Sequence, residues 1–226
     1  MALAAGTVAE RVATLRERVD DIAVAAGRGR GAVAILAVTK THPRDAVLEA
    51  IAAGIGDVGE NYVQEAQAKY AGLPPCTKHF IGHVQTNKAK VIARMFDVVQ
   101  SVDRIEAGAA LAKAARDVGR TLRVLVQVNV SPSERFGAAP GDAPALASRL
   151  RDEGLAVDGV MAIGPLEGDV DAAFAAAHDA FVRVGGTTLS LGMSGDWERA
   201  VRHGSTMVRI GTAIFGPRPP KERTRG

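Results

Sequence analysis

The 226 residues predict an α/β fold: a (β/α)8 TIM barrel with an additional N-terminal helix, in a single domain. Three observations carry this. Apolar runs of strand length alternate with helical segments, which implies parallel pairing through right-handed crossovers. Eight such runs can be read along the chain, and eight units close into a barrel. The rival, an open doubly wound sheet, lacks its marks: no GxGxxG follows the first strand, and no acidic residue is placed to hold a ribose.

Each element has its own local cause. Over 7–26, Val8, Val12, Leu15, Val19 and Ile22 fall at alternating spacings of four and three, one face of a helix, and Gly27, Gly29 and Gly31 end it. AVAILAVTK (32–40) is apolar throughout and reads as a strand buried on both faces. Pro43 starts a helix that ends near Gly54, because proline suits the first helical position. Strands are then expected at 57–61, 79–84, 97–102, 123–130, 157–163 and 187–193, with a last one over 207–215. Helices are expected at 62–71, from about 87, and at 104–118, 141–153, 170–183 and 196–203. The N-terminal helix, lying outside this alternation, is expected to cover a barrel end. The barrel is assigned to 1–216 and a basic, Pro-rich tail, expected to be disordered, to 217–226.

Composition narrows the function classes. Hydrophobic residues make up 47% and aromatics only 4%, so the core is built from Ala, Val, Leu and Ile. No apolar run approaches the roughly 20 residues of a membrane span, and the charges at Glu10 and Arg11 argue against a secretory signal. The net charge of +3 is carried by the tail, where Arg218, Lys221, Arg223 and Arg225 stand against Glu222. The body holds 24 basic and 24 acidic residues and lacks the excess of a nucleic-acid binder. The single cysteine, Cys76, excludes an internal disulfide and a cysteine-based metal cage; His79 and His83 flank the third strand on one side and read as structural histidines, and His42, His178 and His203 have no partner pattern, so a His-based metal site has little support. A reducing cytoplasm, no membrane, no nucleic acid and a monomeric state are the expectations.

In a parallel barrel, function sits at the carboxyl ends of the strands. The residues there form a polar rim above an aliphatic barrel: Lys40, Glu60, Asn61, His83, Ser101, Asp103, Asn129, Ser194 and Arg209 among them. Lys40 closes the first strand beside a helix N-terminus. Desolvation and the positive helix end both disfavour its ammonium form, and a neutral amine attacks an aldehyde to form a Schiff base. A lysine at a strand end can equally extend its amine into water. Ser194-Gly195 after the seventh strand and Gly211-Thr212 within the last suit a phosphate cup, since glycine admits backbone N–H groups and hydroxyls add donors; the same residues serve as turns, and Asp196 as a helix cap. Arg209, in an apolar strand, needs a partner: a carboxylate, or an acceptor on a ligand. Amine, phosphate cup and guanidinium together suggest a phosphorylated aldehyde, of which pyridoxal 5′-phosphate (PLP) is one.

At these residues the sequence resembles the pyridoxal phosphate homeostasis proteins, often called YggS or PROSC proteins, which are similar to the barrel domain of alanine racemase. The matching segments are AVTKTHP (37–43), GENYVQE (59–65), HFIGHVQTNK (79–88), SVDR (101–104), QVNVSPSERFG (127–137), GVMAIGP (159–165) and LSLGMSGDWERAVRHGSTMVRIGTAIFG (189–216), in family order. The resemblance implies that Lys40 forms the Schiff base with PLP. It implies that Ser194, Gly211 and Thr212 bind the phosphate with Met193 beside them, that Arg209 faces the pyridine nitrogen, and that Asn61 lies near the cofactor. Arg135 stands where lysine is common, Thr86 where serine is frequent, and Pro132 lies in the loop after the fifth strand.

An arginine opposite the ring nitrogen favours an unprotonated, weaker electron sink. The second domain and the opposing tyrosine of a racemase are not expected here, since Tyr62 and Tyr70 both fall early. The expectation is therefore a PLP carrier in intracellular PLP homeostasis without turnover, with PLP-requiring apoenzymes as partners. A racemase-like PLP enzyme is the runner-up, followed by a Schiff-base aldolase acting on sugar phosphates.

Overall fold

The computed structural model describes residues 6–217 apart from residue 134; the tail expected from 217 onward lies, beyond its first residue, outside the described residues. Helix α1 (Val8–Ala25) opens on a capping box in which Thr7 and Glu10 satisfy each other's backbone N–H groups. It buries Val8, Val12, Leu15 and Val19 as its spacing requires, with Ala23 completing the stripe. There follow β1 (Ala34–Val38), α2 (Arg44–Ala52), β2 (Asp57–Glu60), α3 (Val63–Lys69), β3 (Thr77–Phe80), a 3-10 turn at Thr86–Lys88 with α4 (Ala89–Met95), and β4 (Val98–Val102). The second half comprises α5 (Ile105–Arg116), β5 (Arg123–Val128), α6 (Ala143–Asp152), β6 (Ala156–Ala162), α7 (Val170–Val184), β7 (Thr188–Ser190), α8 (Trp197–Arg202), β8 (Met207–Ile210) and α9 (Thr212–Phe215).

The strands form a closed barrel in sequence order, and β8 returns to β1 with Leu36 in register with Arg209. All pairs are parallel, which places every strand's carboxyl end on one face. The main apolar core lies between strands and helices, where Ile35, Ala37, Val58, Phe80, Val99, Val124, Val126, Val160, Leu189 and Val208 meet the helix stripes.

Three expectations are corrected. Helix α1 does not cover a barrel end: its helix neighbours are α2, α8 and α9, and Arg11 and Arg16 bond the carbonyls of Ile214 and Gly54. It fills the outer layer beside α2 and α8, where α9 is too short to cover the sheet. The last strand stops at Ile210, and 212–215 turn into α9, so Gly211 is a helix N-cap rather than a strand residue. The barrel is not aliphatic inside. Gln100 of β4 bonds Ser190 of β7, and because those strands are not neighbours the bond crosses the lumen.

Candidate functional site at the carboxyl end of the barrel

The closure of β8 onto β1 decides the site. It brings the chain just past β1 against the loops after β7 and β8, residues some 150 positions apart in sequence, around one cavity of about 280 Å3. Val38, Lys40, His42, Met193, Ser194, Gly195, Arg209, Gly211 and Thr212 line it. Six of the seven predicted residues thus share one space: Lys40, Met193, Ser194, Arg209, Gly211 and Thr212. Asn61 is not in the lining. It sits half-buried in the β2–α3 loop, with its backbone N–H on Glu60 and its side-chain Oδ1 buried without a hydrogen-bond partner among the described residues.

The segment bearing Lys40 is clamped from behind. The Lys69 amine, at the end of α3, donates to the carbonyls of Thr39 (2.7 Å) and His42 (3.2 Å), bracketing Lys40 on both sides. It is neutralised by Glu60 at 2.7 Å and Glu65 at 3.0 Å. Thr41 has φ 67°, a left-handed conformation that a β-branched residue takes only under constraint; its N–H donates to Glu65 at 2.8 Å. Burial acts to raise the Glu65 carboxyl, but the Thr41 amide, Lys69 and Lys40 outweigh it and hold the group below its ordinary value. Glu60, expected on a solvated rim, is instead fully buried in this clamp.

The opposite wall is built for an acceptor. Arg209 is buried, and its Nη1 donates to the Ser190 carbonyl and hydroxyl at 2.7 and 2.8 Å, its Nη2 to the Ala162 carbonyl at 2.8 Å. No carboxylate forms a salt bridge with it among the described residues. Burial pushes its pKa down to about 10, with Asp196 acting in the other direction. Asp196 does not cap α8 with its side chain; it accepts from the Met193 N–H at 2.6 Å and sets the loop that presents Ser194 and Gly195. A Cβ at Gly195 would meet nothing within 4 Å, and one at Gly211 would touch Val38 no closer than 3.4 Å, so both leave room on the cavity side.

Neither tyrosine faces this cavity. Tyr62 is exposed, while Tyr70 is buried with its hydroxyl 2.8 Å from Thr39 Oγ1, and burial pushes its pKa far up. His83 does not continue β3, which stops at Phe80; its ring stacks on Phe136 at 3.8 Å. A second cavity of about 490 Å3 opens beside Phe136, lined by Gln127, Val128, Asn129, Arg135 and Ile163. The described residues hold no cluster of three His, Cys, Asp or Glu fit for a metal, and no helix long and apolar enough to cross a membrane.

The sequence reading missed Lys69, Glu65, Gln100 and Ser190. Only Glu65 and Lys69 carried a signal, their spacing of four on one helix; what they clamp depends on the packing of α3 against β2.

Comparison with known proteins agrees with this architecture. Residues 4–219 match the family described as alanine racemase, N-terminal domain. A pyridoxal phosphate homeostasis protein of Pseudomonas aeruginosa is 44% identical over 225 residues, covering 94% of this chain and 96% of that protein. One of Escherichia coli K12 is 37% identical over 226 residues, covering 93% and 97%. The structure of PipY from Synechococcus elongatus with PLP bound superposes at a TM-score of 0.80 with 36% identity, covering 93% of this chain and 100% of that one. D-threonine aldolase from Filomicrobium marinum, at 20% identity, TM-score 0.73 and coverage of 92% and 60%, shares the fold. With the barrel, the cavity and these matches together, the chain belongs to the alanine racemase N-terminal domain family and, within it, to the pyridoxal phosphate homeostasis proteins.

Proposed function

We propose that this chain binds PLP as a Schiff base on Lys40 and serves intracellular PLP homeostasis, without turnover of a substrate. The observation that carries it is the meeting of a primary amine, two hydroxyls, two unhindered glycines and a buried guanidinium around one cavity. These groups fit the ligand: PLP supplies an aldehyde for the amine, a phosphate for the donors and a ring-nitrogen acceptor for a donor-only arginine. Ser194, Gly211 and Thr212 would hold the phosphate with Met193 beside it, Arg209 would face the ring nitrogen, and Asn61 would approach from the β2 side. The PLP-bound PipY supports the ligand. The names of the curated relatives support the role.

A holding role rather than catalysis is supported by two features. An arginine at the ring nitrogen disfavours carbanion chemistry. The hydroxyl of Tyr70, which would need to reach the site to act as an opposing base, is committed to Thr39. On this reading the chain is a cytoplasmic monomer that gives PLP up to apoenzymes. The test is the visible spectrum of the purified protein with PLP, wild type beside Lys40→Ala. A yellow band lost in the variant is expected; a band that persists refutes the anchor. Steady racemisation of amino acids by the loaded wild type, lost with Lys40, would favour the racemase-like reading instead.

A further inference from the structure

Five side chains form one hydrogen-bonded line down the barrel lumen. Arg209 Nη1 donates to Ser190 Oγ at 2.8 Å, and Ser190 Oγ donates to Gln100 Oε1 at 2.7 Å. Gln100 Nε2 lies 2.9 Å from His79 Nδ1, and His79 Nε2 lies 2.9 Å from Asp57 Oδ1. Ser190, Gln100 and His79 are buried, while the side chain of Asp57, first residue of β2, is 25% exposed at the far end of the barrel.

The direction of every proton in this line follows from its first member. Arginine only donates, so Ser190 Oγ must accept and send its one proton to Gln100 Oε1. The amide then faces His79 with its N–H2 group, so His79 Nδ1 must be bare. The ring proton therefore sits on Nε2 and goes to Asp57. All four bonds donate from the cation toward the carboxylate, the arrangement in which each bond polarises the next in the same sense. Barrel interiors are ordinarily filled by branched aliphatic side chains, and a buried polar line brings no stability over such packing. It does supply what the Ser190 and Ala162 carbonyls do not: a route from Arg209 to a full negative charge.

We propose that Gln100 and His79 are positioning residues for Arg209, and that Asp57 is its remote counter-charge, so that the guanidinium is presented to the site in one orientation. This rests on the reading that Arg209 faces the ring nitrogen of PLP.

The test uses the full chain as wild type, Gln100→Met, which keeps size and loses the amide's bonds to Ser190 and His79 along with its contact to the Met207 sulfur, and Asp57→Asn, which keeps shape at a partly exposed position and loses only charge. Nitrogen-15 NMR of ligand-free wild type should show His79 protonated on Nε2 alone; a ring protonated on Nδ1 overturns the proposal. The Arg209 guanidinium protons should exchange with water about tenfold faster in Gln100→Met than in wild type, because the Ser190 hydroxyl, released from Gln100, no longer holds its lone pair toward Nη1 and that one hydrogen bond is lost. Rates within twofold overturn the proposal. With ring-labelled PLP bound, the ring-nitrogen resonance should move in Asp57→Asn. If wild type binds PLP and that resonance stays fixed in both variants, the positioning role fails while the binding reading stands. If wild type binds no PLP, the binding reading fails and the ligand-free Arg209 exchange rates decide the relay. Should Gln100→Met not fold, Asp57→Asn carries the same exchange comparison.

Discussion

Replacing Lys69 by methionine tests whether the clamp behind Lys40 holds as described. The Lys69 side chain is 7% exposed and its amine makes four contacts within 3.2 Å, to Glu60, Glu65 and the carbonyls of Thr39 and His42. Methionine fills the volume and removes the charge. Glu60, with 0% side-chain exposure, is then left as a buried carboxylate facing the hydroxyl of Thr39 and the N–H groups of Asn61 and Tyr62, with no cation. Breaking such a pair from one side costs about 3–5 kcal/mol, which in a domain of this size lowers Tm by roughly 10 °C. The assay is urea unfolding of wild type, Lys69→Met, Glu60→Gln and the double variant. Because the double variant leaves no unpaired charge at the fully buried Glu60 position, and Glu65 is partly exposed, it should recover at least about 1.5 kcal/mol relative to the sum of the singles. PLP retention should fall in Lys69→Met, since the carbonyls of Thr39 and His42, on either side of Lys40 and Thr41, lose the amine that fixes them. A loss below about 1 kcal/mol in Lys69→Met, or strict additivity in the double variant, would refute the clamp.

Other outcomes follow from single contacts. Asp171 of α7 pairs with Arg199 of α8 and with His203, the residue just after it, and the bonds from Arg199 first and His203 second lower its carboxyl from 3.8 to about 2. A depressed folded value means the stabilisation is present above the unfolded value and is lost as pH falls through about 2. Asp171→Asn should therefore be less stable than wild type near neutrality, with the gap closing between about pH 4 and 2 in urea midpoints; a gap that widens in acid would contradict the pairing. A Cβ at Gly82 would stand 2.0 Å from the Asn61 carbonyl. Gly82→Ala should cost about 3 kcal/mol of unfolding free energy, whereas Gly195→Ala, with nothing within 4 Å, should stay within about 0.5 kcal/mol of wild type. Equal effects at the two glycines would show that the β2 and β3 loops do not pack as described.

Much of this protein was legible in residue order. Alternating apolar runs and helical stripes specify a parallel barrel, because strand and helix periodicities are local properties of the chain. Lys40, Ser194, Arg209, Gly211 and Thr212 could be singled out because barrel chemistry collects at strand ends, a rule that needs only strand boundaries. Those boundaries were least secure where a strand passes directly into a turn. The run 207–215 is apolar throughout, and hydropathy alone does not show that the backbone turns into α9 at Gly211.

Tertiary structure alone decided which polar groups are buried and with whom. Glu60 and Lys69 read as ordinary surface charges; docking α3 beside the end of β1 made them a buried pair. Gln100 and Ser190 lie 90 residues apart and carry no shared pattern, yet barrel closure sets them 2.7 Å from each other. The physical reason is the same in both cases. Periodicity follows from bonds between near neighbours in sequence, whereas a hydrogen bond across a lumen exists only once eight strands have closed with a particular stagger.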